Sequence, residues 1–277
     1  MTAELAQDEP SPSTPWRPSP VVAGSMGLHC LAGVGALASP EYWALALGAI
    51  AANQAVLTAA GMWPRSAWLG PNVRRLPASA RARGEISLTF DDGPDPDVTP
   101  RVLDLLAERG ASATFFCIGE RSRAHADLCR EIVRRGHGIE NHSRRHLPTF
   151  PMLGMGGIRR EITAAQASIV QAAGVAPRFF RPPAGLRSPL LDPVLHELGL
   201  RLVSWTRRGF DTRHQPGRVV PKLVDGLAAG DILLLHDGQC ARTPAGIPVV
   251  LEVLPRVLDA AERARLRPVA LHHAIDS

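Results

Sequence analysis

Residues 85–277 predict a parallel α/β fold, either a barrel or a doubly wound sheet, preceded by a pair of apolar helices. Three observations predict it. About seven short apolar runs alternate with amphipathic stretches at helical spacing, as strands joined by crossover helices do. The polar residues that could carry chemistry fall at the C-terminal ends of those runs, where barrel enzymes place their sites. Two apolar stretches near the N-terminus are long enough to cross a bilayer.

Composition narrows the reading. A chain of 277 residues holds one large domain or two small ones, and 45% hydrophobic residues supply a sizeable core. The mean hydropathy is near zero, which is high for a soluble enzyme and points to a membrane segment. The net charge of +5 comes from dispersed arginines rather than one basic block. No basic run interleaved with aromatics is present, so nucleic acid is not an expected partner. The four cysteines form no CxxC pair and suggest no disulfide framework, which favours a reducing compartment. Cys117, inside an apolar run, reads as a buried thiol.

The elements follow in order. Residues 1–20, rich in Pro, Ser and acids, predict a disordered tail. Residues 21–38 and 42–62 would span roughly 27 and 31 Å as helices, near the ~30 Å hydrocarbon core. Ser39-Pro40-Glu41 makes a tight connection, so 21–62 reads as a transmembrane hairpin. The alternative is a pair of Ala/Gly-rich helices packed on a soluble domain. Glu4, Asp8 and Glu9 stand where a cleaved signal would carry positive charge. Arg65, Arg74, Arg75, Arg81 and Arg83 follow the second stretch, against Arg17 alone before the first. The positive-inside rule then places the C-terminal domain on the cytoplasmic face of a bacterial-type inner membrane. Residues 63–84, with three prolines and Gly70, read as a linker.

From 85 onward, strands are expected at 86–90, 113–118, 138–141, 178–181, 202–205, 232–236 and 268–271. Val102, Leu103, Leu105 and Leu106 form one helical face, closed by Gly110. Ile158, Ile162, Ala165 and Ile169 form another, and Val219, Val220, Leu223 and Val224 a third.

Five short motifs carry the candidate chemistry. Asp91 and Asp92 follow the first strand, which Gly93-Pro94 ends sharply. Adjacent carboxylates at a strand end point apart, so one can bind a cation while the other acts as base; a solvated Asp-Gly turn is the plainer alternative. His142 and His146 are four apart, which on a helical turn puts both imidazoles on one face. With Asp92 they make a two-His, one-carboxylate set with coordination positions left open. Arg181-Pro182-Pro183-Ala184-Gly185 is the third motif, and Trp205 to Asp211 the fourth. Leu234-Leu235-His236 is the fifth; an imidazole titrating near neutrality suits a general acid.

These motifs, in this order, make residues 85–271 resemble the polysaccharide deacetylases of carbohydrate esterase family 4, the NodB-like domains. The resemblance implies a deformed (β/α) barrel and metal-dependent removal of acetyl groups from sugars, here the N-acetyl group of an amino sugar. It implies Asp91 as base and His236 as acid, with Asp92, His142 and His146 as metal ligands. Arg181 resembles the residue that orients the base, and Asp211 the partner of His236. Pro183, Ala184, Gly185, Trp205 and Leu234 resemble the substrate wall, with the Ala184 N–H as an oxyanion donor. One divalent ion is implied: Zn2+ suits the donor set best, and Co2+, Ni2+ or Mn2+ would also bind.

The chain also departs from the family pattern. Thr212 stands where the family usually has Trp, Arg208 where it often has Asp, and Ala184 where an aromatic is common. The alternative function is a catalytically weak, glycan-binding member of the same fold. Retention of base, acid and metal set argues for an enzyme. Few aromatic platforms and a cytoplasmic face favour a small or lipid-linked N-acetylated sugar over a long polymer.

Overall fold

The computed structural model describes residues 15–276. Two long helices come first, α1 (Pro20–Ala38) and α2 (Trp43–Met62), joined by a 3-10 turn at Pro40–Tyr42. Both are long and apolar enough to cross a membrane by length and composition. They pack on each other and leave Leu31, Leu37, Trp43 and Leu45 exposed. The N-terminal end of α1 and the C-terminal end of α2 meet the remaining domain. Val22, Leu57, Ala60 and Leu69 form a small core there. At Gly61 a Cβ would stand 2.1 Å from the carbonyl oxygen of Arg187, so only glycine allows this approach.

Residues 1–14 of the expected tail lie outside the described residues. The remainder of that stretch is ordered. The Trp16 indole donates to Asp192 at 2.8 Å, and Ser19 caps α1 by accepting from the Val22 N–H. The stretch expected as a linker is packed as well. It contains α3 (Ala78–Ala82), buries Leu69, Leu76 and Ala80, and bridges Val73 to Val203 in parallel register. Its prolines break regular structure without preventing burial of the apolar residues between them.

The catalytic-type domain is a curled, open barrel. Its strands are β1 (Glu85–Asp91), β2 (Ala113–Cys117), β3 (Gly138–Asn141), β4 (Phe179–Phe180), β5 (Arg201–Leu202), β6 (Arg207–Arg208), β7 (Ile232–His236) and β8 (Arg267–Pro268). The order is β5-β4-β3-β2-β1-β7-β6, with β8 on β1, and every pair is parallel. The crossovers are α4 (Thr99–Glu108), α5 (Gly119–Ala124), α6 (Ala126–Arg134), α7 (Met155–Ala173), α8 (Leu191–Glu197), α9 (Pro216–Val224) and α10 (Val249–Arg263). A last helix, α11 (Leu271–Asp276), follows β8. The strand expected at 268–271 is therefore cut to two residues, because the chain turns into α11. The strand at Arg207–Arg208 was not expected, since two arginines give no apolar signal.

Strand alternation divides the core and builds the site. Leu88 and Phe90 of β1, Phe115 of β2, and Leu233 and Leu235 of β7 face the helices. Phe90 and Phe115 stack there at 5.0 Å between ring centroids, in an aromatic contact worth about 0.5–1.5 kcal/mol beyond its buried area. The opposite parity faces the barrel interior: Thr89, Asp91, Phe116, Ile232, Leu234 and His236. Register then aligns the strand ends. Asp91 pairs with His236 across β1–β7 and with Phe116 across β1–β2, while Asn141 pairs with Cys117 and Phe180. Each strand's next residue, Asp92, His142 or Arg181, emerges at one rim of the barrel.

Candidate active site

At this rim the Oδ1 atom of Asp92 lies 3.1 Å from Nε2 of His146 and 3.3 Å from Nε2 of His142. The three ligand atoms all fall within 4.8 Å of one another. Asp92 Oδ1 is buried and has no hydrogen-bond partner. A buried carboxylate oxygen is rarely left unpaired, so this cluster has the donor set and the unmet demand that a divalent cation would satisfy. Burial alone would raise the Asp92 pKa, but the His142, His236 and His146 imidazoles hold it at about 2.

The histidines do not share a helical turn, as their spacing predicts. Residues 142–146 form a loop, with Ser143 at φ 66° and His146 at φ 54°. Side chains hold these left-handed conformations. The Asn141 Oδ1 accepts from the Ser143 N–H at 2.9 Å, the Ser143 hydroxyl from the His146 N–H at 3.1 Å, and Glu161 from the Arg145 N–H at 3.1 Å. A spacing of four serves both geometries, so the pattern alone does not separate them.

His142 Nδ1 lies 2.7 Å from the carbonyl oxygen of Arg181. A carbonyl only accepts, so the proton sits on Nδ1 and Nε2 keeps its lone pair toward the cation site. Burial opposes charge on His142, yet Asp91 and Asp92 outweigh it and raise its pKa. Positive charge is thus favoured at this point, as proton or as metal. Burial and the neighbouring His142 lower the pKa of His146.

Arg181 is fully buried beneath the site. It donates through Nη1 to Asp91 Oδ1 at 2.6 Å and to the Thr89 hydroxyl at 2.9 Å. Its Nε and Nη2 donate to the carbonyls of Val203 and Ser204 at 3.2 and 3.1 Å. The guanidinium lies 4.1 Å from the Phe116 ring centroid. Burial lowers its pKa and Asp91 works against that shift. With Oδ1 committed to Arg181, the Asp91 Oδ2 lies 3.8 Å from His142 Nε2, beside the candidate cation site.

Opposite stands His236, clamped by Asp211. The Asp211 carboxylate accepts from His236 Nδ1 at 2.8 Å and from its backbone N–H at 2.8 Å. Burial disfavours the imidazolium, but Asp211 prevails and raises the His236 pKa to about 9. His236 therefore carries a proton at neutral pH, with Nε2 as the nitrogen not held by Asp211.

A cavity of about 330 Å³ joins these groups. Asp91, Asp92, His142, His146 and His236 line it, with Ala184, Trp205 and Leu234 on the wall. Arg181 and Asp211 act from behind. Pro183 and Gly185 are buried and shape the wall rather than facing the cavity. Gly185 has φ 76°, and a Cβ there would stand 2.6 Å from the Trp205 ring and 2.7 Å from Pro64.

Sequence reasoning missed several contributors. Arg213 and Gln239 line the cavity together with Arg208 and Thr212. Asp237 is buried and accepts from the Thr99 hydroxyl at 2.5 Å, and burial raises its pKa to about 7. Its adjacency to His236 was the available signal, but Asp-Gly after a strand reads first as a turn.

Comparison with known proteins agrees with this geometry. The family model described as polysaccharide deacetylase matches residues 78–203, which include Asp91, Asp92, His142, His146 and Arg181. The chain is 36% identical over 171 residues to a chitooligosaccharide deacetylase of Sinorhizobium fredii, covering 60% of this chain and 78% of that one. It is 34% identical over 176 residues to a peptidoglycan-N-acetylglucosamine deacetylase of Bacillus cereus, covering 62% and 81%. Among solved structures, the Bc1960 peptidoglycan N-acetylglucosamine deacetylase superposes with a TM-score of 0.66 at 25% identity, covering 74% of this chain and 93% of that one. Trp205, Asp211 and His236 lie beyond the matched segment, yet the parallel pairing of β7 with β1 brings His236 beside Asp91. On sequence, fold and site together, the chain belongs to the polysaccharide deacetylase family.

Proposed function

We propose that this protein is a metal-dependent hydrolase that removes the N-acetyl group from an amino sugar in an oligosaccharide, polysaccharide or lipid-linked glycan. One observation carries the reading: a cation-ready Asp92, His142 and His146 set shares a single cavity with Asp91 on one side and the Asp211-held His236 on the other. A glycan-binding module has no use for a paired base and acid beside an open metal set. A divalent cation held by these three residues, Zn2+ before Co2+, Ni2+ or Mn2+, would acidify water and polarise the acetyl carbonyl.

The chain's own residues do the rest. Asp91 takes a proton from the attacking water through Oδ2, because Arg181 occupies Oδ1 and fixes the carboxylate plane. The Ala184 N–H stabilises the oxyanion that develops on the acetyl oxygen. His236 gives its Nε2 proton to the departing sugar nitrogen, while Asp211 holds Nδ1 and stabilises the imidazolium before transfer. Leu234 and Trp205 give the acetyl methyl an apolar wall.

Helices α1 and α2 tether the domain to an inner membrane in this reading. Arg65, Arg74, Arg75, Arg81 and Arg83 place it on the cytoplasmic face by the positive-inside rule. The ordered packing of residues 63–84 then holds the cavity close to the bilayer surface. The test of function is acetate release from chitooligosaccharides and peptidoglycan fragments by the purified full chain. Release that stops on chelation and returns with Zn2+ supports the reading; glycan binding with no release favours the binding-only alternative. Reporter fusions after Ser277 test the orientation separately, and periplasmic alkaline phosphatase activity would overturn it.

A further inference from the structure

Beside the catalytic cavity lies a second, larger one of about 620 Å³, and the two share Trp205 and Arg208 as walls. Five cations line it, Arg65, Arg75, Arg207, Arg208 and Lys222, against one carboxylate, Asp231. Asp231 is already spent on two of them, accepting from Arg75 at 2.6 Å and from Arg207 at 2.5 Å. Among the described residues, the other three have no carboxylate within ion-pair distance, although Asp91 and Asp211 act on Arg208 at longer range. Arg65 donates only to the Thr206 carbonyl at 3.2 Å. Lys222 sits 4.9 Å from the Phe210 ring centroid. Arg208 lies over the Trp205 and Phe210 rings at 5.3 and 4.7 Å, and its Nε is buried with no hydrogen-bond partner. Arg65 and Lys222 are exposed and Arg208 is half-buried, so the groove has a positive field and one unmet buried donor that an anion would satisfy. The groove's remaining wall, Trp63 and Pro64, follows directly on α2.

We propose that this groove binds a phosphate or diphosphate group carried by the acetamido sugar, with Arg208, Lys222 and Arg65 as its ligands. The inference rests on the deacetylase reading of the neighbouring cavity and names its preferred substrate class: a sugar phosphate ester, turned over faster than a neutral glycan. Arginine's planar fork matches phosphate oxygens, and Arg208 stands where both cavities meet. The sugar then occupies the Asp91–His236 side while the phosphate lies beyond Arg208. Two sources share this chemistry, a polyprenyl diphosphate sugar in the bilayer and a soluble nucleotide sugar.

The test compares acetate release by the metal-loaded full chain in detergent from three substrates. These are neutral di-N-acetylchitobiose, uridine diphosphate N-acetylglucosamine and a short polyprenyl diphosphate N-acetylglucosamine. At least one phosphorylated substrate should exceed the neutral one in kcat/KM by about tenfold or more, the scale of a charge-assisted contact. The better of the two identifies the source. The Arg65→Gln/Lys222→Gln double variant should lower that preference about tenfold or more, and should weaken inorganic pyrophosphate binding in calorimetry. Equal kcat/KM for neutral and phosphorylated sugars overturns the proposal. So does a preference, or pyrophosphate binding, that the double variant leaves unchanged, because the anion would then be held elsewhere. Absence of acetate from every substrate would sink the deacetylase reading, and the pyrophosphate calorimetry would still decide the groove.

Discussion

Replacing Asp211 by Asn should move the basic limb of the pH–activity profile more than it changes the fold. Asp211 is fully buried and makes two contacts to His236, one to the ring and one to the backbone N–H. Asparagine keeps one acceptor for the backbone and removes the charge. Burial opposes the imidazolium and Asp211 is the largest influence against that effect, so without Asp211 the His236 pKa falls from about 9 toward the ordinary 6.5. At pH 8 a group of pKa 9 is about nine-tenths protonated, and one of pKa 6.5 about 3%. Turnover that needs His236 as acid should therefore drop by up to roughly thirtyfold at pH 8, and far less at pH 6. The same shift enters stability. A pKa raised from 6.5 to about 9 gives the fold roughly 3 kcal/mol, fully present below pH 6.5 and lost as pH rises through 9. The variant should lack that decline. The assay is initial-rate acetate release between pH 5 and 10, with denaturant titrations at the same pH values. A variant whose basic limb coincides with the parent's would refute the assignment of Asp211 as the group that holds the proton on His236.

Other consequences are equally direct. The His142→Ala/His146→Ala variant should lose the bound divalent ion in elemental analysis, because Asp92 alone cannot hold it; full occupancy would remove these residues from the site. Asp91→Asn should keep the ion and lose about a hundredfold or more in turnover, the scale of a positioned proton-transfer group. Gly185→Ala should lower stability by about 1–3 kcal/mol in thermal melts, from the φ of 76° and the clash with Trp205 and Pro64. Asp237, with its pKa raised to about 7, favours the fold at low pH and loses that contribution as pH climbs from 4 through 7. Asp237→Asn should flatten this part of the stability profile, and an unchanged slope would assign it to other groups.

What the sequence made legible follows from burial. β1 and β7 are central and buried on both faces, so 86–90 and 232–236 stand out as apolar runs. The short edge strand β6 carries no such pattern. Arg207 and Arg208 pair with β7 through their backbones while their side chains line a charged groove. Residues 63–84 have the composition of a linker, and their burial depends on partners such as Val203 and Arg187, far along the chain. The identities of the site residues were visible because carboxylates and imidazoles at strand ends have few other uses. Their geometry was not: left-handed Ser143 and His146 carry no glycine to announce them, and the Glu161 carboxylate that holds the Arg145 N–H between them comes from sixteen residues on. The cationic groove was invisible for a related reason, since Arg65, Arg208 and Lys222 meet only after the barrel closes on the segment following α2.

The most direct measurement is mass spectrometry of an N-acetylglucosamine tetramer incubated with the metal-loaded chain and with its Asp91→Asn variant. The account predicts products that have lost whole acetyl groups, with every glycosidic bond intact, formed by the parent and not by the variant. An unchanged tetramer with both proteins, shorter sugars from glycosidic cleavage, or equal deacetylation by the variant would contradict it.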